Sequence, residues 1–326
     1  MDRRTLLALT CATLVAPRTL LAQTPKRVYR IAILDDATET TRPEYWNLFR
    51  NRLRELGLVE GKDVVYEVRY ARGNSERLPA LAAELVGLKP DILVTTATPA
   101  TSALIKATSS IPIVFTNSGD PVRMGLVASL ARPGGNATGI SIMTEQMGGK
   151  QVELLRELSP TAIRLAYLGD TSNKSSLSVF RQIEADTRAM NVTIRMLDGR
   201  KRIELDRSFE VIRRERVQGL IIGTTGVLLE HRDQIVQFAA REKLPVVYGR
   251  RDYVDAGGLV AYGVDLRFGF SRGAEYVHRI LNGAKPADLP VEHSANPRMV
   301  LNLKAARALG ITVPAAVRLR ADEVIE

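Results

Sequence analysis

The stretch GLVASLARPGGNATG, residues 125–139, lies between two halves of the chain that follow the same pattern. Before it, predicted strands alternate with amphipathic helical segments, beginning with a strand at 28–34 and a helix at 44–56. After it, the alternation begins again with a helix at 145–158 and a strand at 164–168. Such alternation is typical of parallel sheets with helices on both faces. We therefore predict an α/β fold of two Rossmann-like lobes, each with a parallel sheet flanked by helices.

The length of the chain agrees with two domains of middling size, since its 326 residues exceed one ordinary α/β core. The Pro-Gly-Gly-Asn break at 133–136 argues against a single closed barrel. The stretch at 290–303 is irregular, as expected of a chain that builds one lobe, then the other, and returns to each. We predict one lobe from 28–139 with 264–290, and the other from 140–263 with 291–326.

The first 22 residues have the three parts of an export signal. Asp2-Arg3-Arg4 is a positively charged start, and residues 5–16 are apolar but too few to span a bilayer. A plausible cleavage site follows Ala22. The arginine pair also suits a twin-arginine signal, so the export route, Sec or twin-arginine, stays open. We predict a signal peptide at 1–22 and a periplasmic mature protein.

Charge and cysteine content exclude some classes of function. Cys11 is the only cysteine and lies in the predicted signal, so the mature chain would lack disulfides, thiolate metal sites and cysteine nucleophiles. The net charge of +10 comes from basic residues in runs of three at most. No helix-turn-helix pattern, zinc spacing or aromatic-basic stripe accompanies them. We therefore predict a solvated basic surface and no nucleic-acid partner.

Polar residues follow the carboxyl ends of the predicted strands, where open α/β sheets bind ligands. Their side chains donate and accept hydrogen bonds, and the helices that begin after them could hold a carboxylate at their N-termini. For any single residue helix capping is the favoured interpretation, by about two to one, but six such loops at one cleft favour a ligand site. We predict that a ligand is held, without a cofactor or metal, by Asp35, Thr38, Thr95, Thr96, Thr98, Thr116, Asp120, Asn173, Thr224, Thr225, Tyr248 and Asp265.

Some of these residues have a more specific expected role. Tyr248 would offer an apolar face to the ligand, and Asp120 or Asp265 would pair with an amino group. Asp120 would also cap a helix predicted at 122–131, which Pro121 can begin. Trp46 lies at helical spacing, so we expect it in the core rather than against the ligand.

Enzyme motifs are missing from the sequence. The stretch Gly148-Gly149-Lys150 lacks the first glycine and the hydroxyl residue of a phosphate-binding loop, and no Gly-x-Gly-x-x-Gly follows the first strand. The histidines, His231, His278 and His293, have no metal-ligand spacing. We therefore predict that the protein is not an enzyme.

Several motifs resemble one family, the ABC transporter substrate-binding proteins that include tryptophan- and tyrosine-binding members. The long run at 125–136 with Thr138-Gly139 is the most specific of them. Others are Leu53 to Gly57, Ile111 to Phe115 with Asp120-Pro121-Val122, and the C-terminal Ala321 to Ile325. The resemblance spans the mature chain and implies a type I periplasmic-binding-protein fold. It also implies three crossings between the lobes, which we place near 138–139, 258–265 and 290–296.

The resemblance implies the solute receptor of an ABC importer, working with a permease in the inner membrane. We expect a monomer that binds a small carboxylate-bearing ligand, an amino acid or aromatic acid, between its lobes. The alternative is a ligand-sensing regulatory protein of the same fold with no transport role. The export signal and the lack of a DNA-binding segment argue against that alternative.

Overall fold

A computed structural model describes residues 27–142, 147–188, 190–294 and 297–326 of the chain. The predicted signal peptide, residues 1–22, lies outside the described residues. In these ranges the chain forms two sheets, each covered by helices on both faces. The predicted α/β class, with two mainly parallel sheets flanked by helices, is confirmed.

The first sheet is parallel throughout. In spatial order, its described strands are β11 (Glu292–His293), β5 (Ala137–Ser141), β4 (Ile113–Ser118), β3 (Ile92–Thr95), β1 (Tyr29–Asp35) and β2 (Val64–Tyr70). The helices of this lobe are α1 (Pro43–Glu55), α2 (Leu78–Gly87), α3 (Thr98–Ala107) and α10 (Arg267–Leu281), with short 3-10 turns at Ser75–Arg77 and Pro286–Asp288.

The second sheet ends at one edge with two strands, β12 (Pro297–Asn302) and β13 (Glu323–Ile325), that come from the C-terminal part of the chain. In spatial order, its described strands are β13, β12, β10 (Val260–Val264), β9 (Val246–Tyr248), β8 (Gly219–Ile222), β6 (Arg164–Gly169) and β7 (Thr193–Asp198). Strand β12 runs antiparallel to β10, while the other neighbours pair in parallel. The helices of this lobe are α4 (Gly148–Leu158), α5 (Lys174–Arg188), α6 (Arg202–Arg214), α7 (Gly226–Glu230), α8 (Arg232–Arg241), α9 (Arg251–Asp255), α11 (Leu303–Leu309) and α12 (Ala315–Arg320).

Each sheet separates two apolar cores, one on each face. Helix α10 returns to the first lobe, where Phe270 joins the core beside α1. Trp46 is buried there and meets the Phe270 ring edge-on, with 4.9 Å between ring centroids. In the second lobe, Phe209 and Phe238 stack at 3.8 Å. Trp46 is therefore a core residue of α1, because its helical spacing directs it at the sheet.

The chain leaves the first lobe for the last time after residue 293, and not at residue 290 as predicted. Strand β11 pairs with β5, so residues 292–293 belong to the first sheet rather than to the second lobe. Glu292 explains the attachment, because its carboxylate accepts hydrogen bonds from Arg272 and Tyr276 of α10. The other two predicted boundaries also shift by a few residues. Ile140 and Ser141 pair in the first sheet, and Val264 pairs in the second. The division into two lobes otherwise stays a proposal.

The helix predicted at 122–131 is wrong, because this segment forms a series of turns. Gly125 adopts a left-handed conformation, with φ of 69°, which ends the first turn after Met124. Ser129 then exchanges hydrogen bonds with the backbone of Arg132. The apolar spacing of this stretch is helical, but its local hydrogen bonds favour a loop.

Candidate functional site

The strand ends of the two sheets face each other across a cleft, and a small cavity lies between them. Its volume is about 50 Å³. The first lobe contributes Ala97, Thr98, Asn117, Gly119 and Ile142 to its wall, and the second lobe contributes Tyr167, Asn173, Ser175, Ser176, Val179, Thr224 and Thr225. None of these lining residues carries a charged side chain. The cavity therefore offers hydroxyl and amide groups beside an apolar surface.

Four of the predicted site residues come together at this cavity: Thr98, Asn173, Thr224 and Thr225. The Thr98 hydroxyl accepts a hydrogen bond from the Gly119 backbone at 3.0 Å, and Asn173 Oδ1 accepts one from the Ser175 backbone at 2.9 Å. These two side chains therefore also fix the starts of α3 and α5. The buried Thr225 Oγ1 has no hydrogen-bond partner in the described protein, so it is free to bind a ligand.

An outer groove continues from the cavity towards solvent. Thr98 and Asn173 line both, and the groove has a volume of about 330 Å³. Small-molecule sites usually enclose about 300–1,000 Å³. The inner cavity alone is too small for an amino acid, so a ligand of that size would have to occupy part of the groove or widen the cleft.

Three of the predicted threonines lie inside the first lobe instead. Thr95 Oγ1 donates to the Leu34 carbonyl at 2.8 Å, and Thr116 Oγ1 donates to the Thr95 carbonyl at 3.3 Å. Thr96 is also buried and does not line the cavity. The hydroxyls of Thr95 and Thr116 are engaged by the sheet, so the structure does not support direct ligand contacts for them.

Three further predicted residues lie elsewhere. Tyr248 is buried in the core of the second lobe, where its ring stacks on Tyr253 at 4.8 Å, so it offers no face to the cleft. Asp265 accepts a hydrogen bond from the Arg267 backbone at the start of α10. Asp120 is half-buried and accepts a hydrogen bond from the Arg123 backbone, capping a turn rather than a helix.

Asp35 and Thr38 belong to a polar cluster at one end of the cleft. Asp35 accepts a hydrogen bond from the Trp46 indole at 2.6 Å and forms an ion pair with Arg42 at 3.0 Å. Arg42 also pairs with Asp36. Both carboxylates and the guanidinium are almost completely buried, so each charge depends on the others for compensation.

The second lobe closes onto this cluster. Thr41 Oγ1 donates to Glu230 Oε1 at 3.4 Å, and Tyr45 donates to Asp252 at 3.4 Å. A Cβ atom on Gly226 would lie only 2.3 Å from Arg42 Nη2. The lobes therefore touch across the cleft, and the absence of a side chain at residue 226 permits this approach.

Sequence reasoning missed several lining residues, chiefly Asn117, Ser175 and Tyr167. Asn117 directly follows the predicted Thr116 near the end of β4, so its position was itself a signal. Ser175 follows Asn173 at the start of a helix, which is a signal that could have identified it. Tyr167 lies inside strand β6, and its residue type gave no such signal.

Ala97 holds an unusual backbone conformation beside the cavity. Its φ and ψ are 66° and 148°, a region that glycine occupies easily and alanine rarely. Its backbone N–H donates to the Asn117 carbonyl at 2.7 Å, which fixes the approach of the chain to α3. The strained residue therefore positions the start of this helix at the cleft.

We expect Ala97→Gly to raise the free energy of unfolding by about 1 kcal/mol, because relief of strain exceeds the entropy cost of glycine. Urea unfolding measures this change. The matched control is Ala83→Gly on the exposed face of α2, which should lower stability by about 1 kcal/mol. Equal losses in the two variants would show that Ala97 is unstrained.

Two carboxyls at the contact between the lobes have raised pKa values. Burial raises the pKa of Glu230 to about 7, helped by the charge of Asp36. Burial raises the pKa of Asp36 to about 6, although Arg42 opposes the shift. Because the folded chain holds these protons more tightly than the unfolded chain, the free energy of unfolding should fall as pH rises from about 4 to about 7.

Glu230→Gln should flatten this dependence, because the amide cannot titrate. Urea unfolding between pH 4.5 and pH 8 measures the slope. Glu76→Gln, a change at an exposed carboxylate, should leave the slope as in the wild type. A wild-type slope in Glu230→Gln would exclude Glu230 as a source of the pH dependence.

No helix in the described ranges is long and apolar enough to cross a membrane. The same residues contain no group of three or more His, Cys, Asp or Glu side chains placed to hold a metal ion.

Comparison with known proteins agrees with the family that the sequence motifs resemble. The profile of the family described as ABC transporter substrate binding protein matches residues 31–325. A tyrosine-binding protein of Clostridioides difficile is 24% identical over 277 residues, which are 85% of this chain and 78% of that protein. The resemblance that the sequence motifs indicated is thus confirmed.

Two solved structures have a similar fold. A conserved domain protein from Vibrio cholerae is 28% identical with a TM-score of 0.84, covering 91% of this chain and 100% of that one. An ABC domain from Streptococcus pneumoniae in complex with L-Trp is 25% identical with a TM-score of 0.84. The match covers 92% of this chain and 100% of that one. The periplasmic-binding-protein fold expected from the resemblance is confirmed.

Proposed function

The chain belongs to the ABC transporter substrate-binding protein family, and from this premise we propose that it is the exported solute receptor of an ABC importer. Its ligand is a small carboxylate-bearing molecule, an amino acid or aromatic acid, bound between the two lobes. The lobes close on the ligand, and the closed form is the one that a permease recognises.

The observation that carries this proposal is the cavity between the lobes. Its wall combines neutral hydrogen-bonding groups with the start of α3 on one side and the start of α5 on the other. Helix N-termini carry partial positive charge and unpaired N–H groups, which suit a carboxylate. Thr225 Oγ1 supplies one more uncommitted group from the second lobe.

Two relatives support aromatic amino acids as the candidate ligands. One is named as a tyrosine-binding protein and another was solved with L-Trp. In this chain, Tyr167, Ile142 and Val179 provide an apolar surface at the cavity for an aromatic side chain. L-tryptophan and L-tyrosine are therefore the first ligands to test.

The remaining parts of the proposal concern export and partners. A signal peptide at 1–22 would direct the mature protein to the periplasm, where it would act as a monomer with an inner-membrane permease. Edman sequencing of the exported protein should give a mature N-terminus near Gln23. Retention of the full chain in the cytoplasm would contradict this part and would favour the regulatory alternative.

Calorimetry with an acid and its amide tests the ligand class. We expect L-tryptophan or L-tyrosine to bind at least about tenfold more tightly than its amide, because the amide loses charge-assisted hydrogen bonds. Equal affinities for the acid and the amide would contradict a carboxylate site. Binding that disappears on addition of a chelator would show that a metal, rather than the helix N-termini, holds the ligand.

A further inference from the structure

A second cavity lies at the hinge, where the chain passes from β10 to α10. It lies between α1 of the first lobe and helix α9 and strands β10 and β12 of the second, and its volume is about 40 Å³. Its lining residues differ from those of the cleft cavity. The charged side chains in its wall are Arg250, Arg251, Arg267, Arg298, Asp252 and Asp265.

Arg250 is the buried member of this group. Its side chain is only 3% exposed, and Nε donates to Asp252 at 3.0 Å. The guanidinium also lies over the Tyr45 ring of the first lobe, 5.5 Å from the centroid. Nη1 has no hydrogen-bond partner in the described protein. A buried guanidinium nitrogen without an acceptor is costly, so this donor calls for an acceptor, and an anion would form the stronger, charge-assisted hydrogen bond.

The other arginines surround the opening of the cavity. Arg267 and Arg298 are exposed and form no ion pair within 4 Å among the described residues. A hydrogen bond from Arg251 lowers the pKa of Glu323, and the charges of both exposed arginines help to lower it. Arg251 is already paired with Asp255 and Glu323.

The two carboxylates in the wall are committed to neighbours within the protein. Asp252 pairs with Arg250, and Asp265 accepts the Arg267 backbone N–H. Arg251 is balanced by Asp255 and Glu323, so the arginines of the wall without a paired carboxylate are Arg267 and Arg298.

We propose that the hinge cavity binds a small tetrahedral oxyanion, sulfate or phosphate. A buried water needs roughly 10–15 Å³ of such space, so 40 Å³ holds about three water-sized groups. The cavity can therefore enclose about three oxygens of a tetrahedral oxyanion, with the fourth at its opening, and it is too small for an amino acid or nucleotide. Arg267 belongs to the first lobe, and Arg250 and Arg298 to the second. The anion would therefore link the two lobes at the hinge.

Thermal unfolding with sodium sulfate or sodium phosphate, against sodium chloride at equal ionic strength, tests the site. We expect a saturable rise in the unfolding temperature with the oxyanions only, and a matching calorimetric binding isotherm. Arg267→Gln and Arg298→Gln should each weaken oxyanion binding about tenfold or more. Because both side chains are exposed, the variants should unfold as the wild type does in chloride.

The control is Arg307→Gln, which removes an exposed arginine of α11 that does not line the hinge cavity and should leave oxyanion binding unchanged. An equal rise in the unfolding temperature with chloride would overturn the proposal. So would oxyanion binding in both Arg267→Gln and Arg298→Gln that is as tight as in the wild type. L-tryptophan distinguishes the hinge cavity from the cleft. Simultaneous binding of sulfate and L-tryptophan supports a separate site, whereas mutually exclusive binding would show that the arginines belong to the solute site.

Discussion

Arg42→Met is expected to lower the free energy of unfolding by about 3–5 kcal/mol. The substitution keeps most of the side-chain volume but leaves Asp35 and Asp36 as buried carboxylates without their counter-ion. Neither carboxylate can reach solvent, since Asp35 is fully buried and Asp36 nearly so. Urea unfolding at pH 7 measures the loss, and a variant that does not fold at this pH agrees with the same expectation.

The matched control is Arg202→Met, because Arg202 forms an exposed ion pair with Asp206 on α6. Exposed ion pairs contribute about 0–1 kcal/mol, so the free energy of unfolding of this variant should be close to that of the wild type. Adding Asp36→Asn to Arg42→Met should restore part of the stability by removing one uncompensated charge. Equal, small losses in Arg42→Met and Arg202→Met would contradict the assignment of Arg42 as the counter-ion of the cluster.

Gly226→Val is expected to weaken the binding of L-tryptophan or L-tyrosine about 10- to 100-fold, provided that one of them is the ligand. A Cβ atom at this position would lie 2.3 Å from Arg42 Nη2 and 2.8 Å from Asp36 Oδ1, so the lobes could not approach as they do here. Overpacking of this kind costs about 1–3 kcal/mol, and 1.4 kcal/mol is tenfold in affinity. Calorimetry measures the affinity, and Gly226→Ala should show a smaller loss.

The control for this series is Gly135→Val, because a Cβ atom there meets nothing within 4 Å. Its affinity should equal that of the wild type. Gly119→Ala tests the approach of the two lobes with a substitution in the first lobe, since its Cβ would lie 2.5 Å from Ser175 Oγ of the second lobe. Wild-type affinity in both Gly226→Val and Gly119→Ala would show that ligand binding does not need the lobes to touch at these points.

The fold class could be predicted from sequence because strands and helices alternate with clear periodicity in both halves of the chain. The loops at the cleft could be predicted as well, because parallel strands end at one edge of a sheet. Thr98 and Asn173 illustrate this, since each precedes or begins a helix at that edge. The position of residue 226 against Arg42 could not be predicted, because it depends on how two separate lobes meet.

The orientation of side chains at strand ends is the part that the sequence could not settle. Successive side chains of a strand point to opposite faces, but both faces of these parallel sheets are buried and apolar. The pattern therefore does not say which of Thr116 and Asn117 reaches the cleft. The same ambiguity applies to Tyr248, whose strand directs it into the core against Tyr253.

A distance measurement between the lobes shows whether they close on the solute. Spin labels on Arg123→Cys and Arg181→Cys, in a chain that begins at Gln23, place one probe on each lobe without the background of Cys11. Electron–electron double resonance should show a broad or long distance in the free protein and a shorter, narrower one with saturating L-tryptophan or L-tyrosine. An unchanged distance distribution with a ligand that calorimetry shows to be bound would contradict capture of the solute by closure of the two lobes.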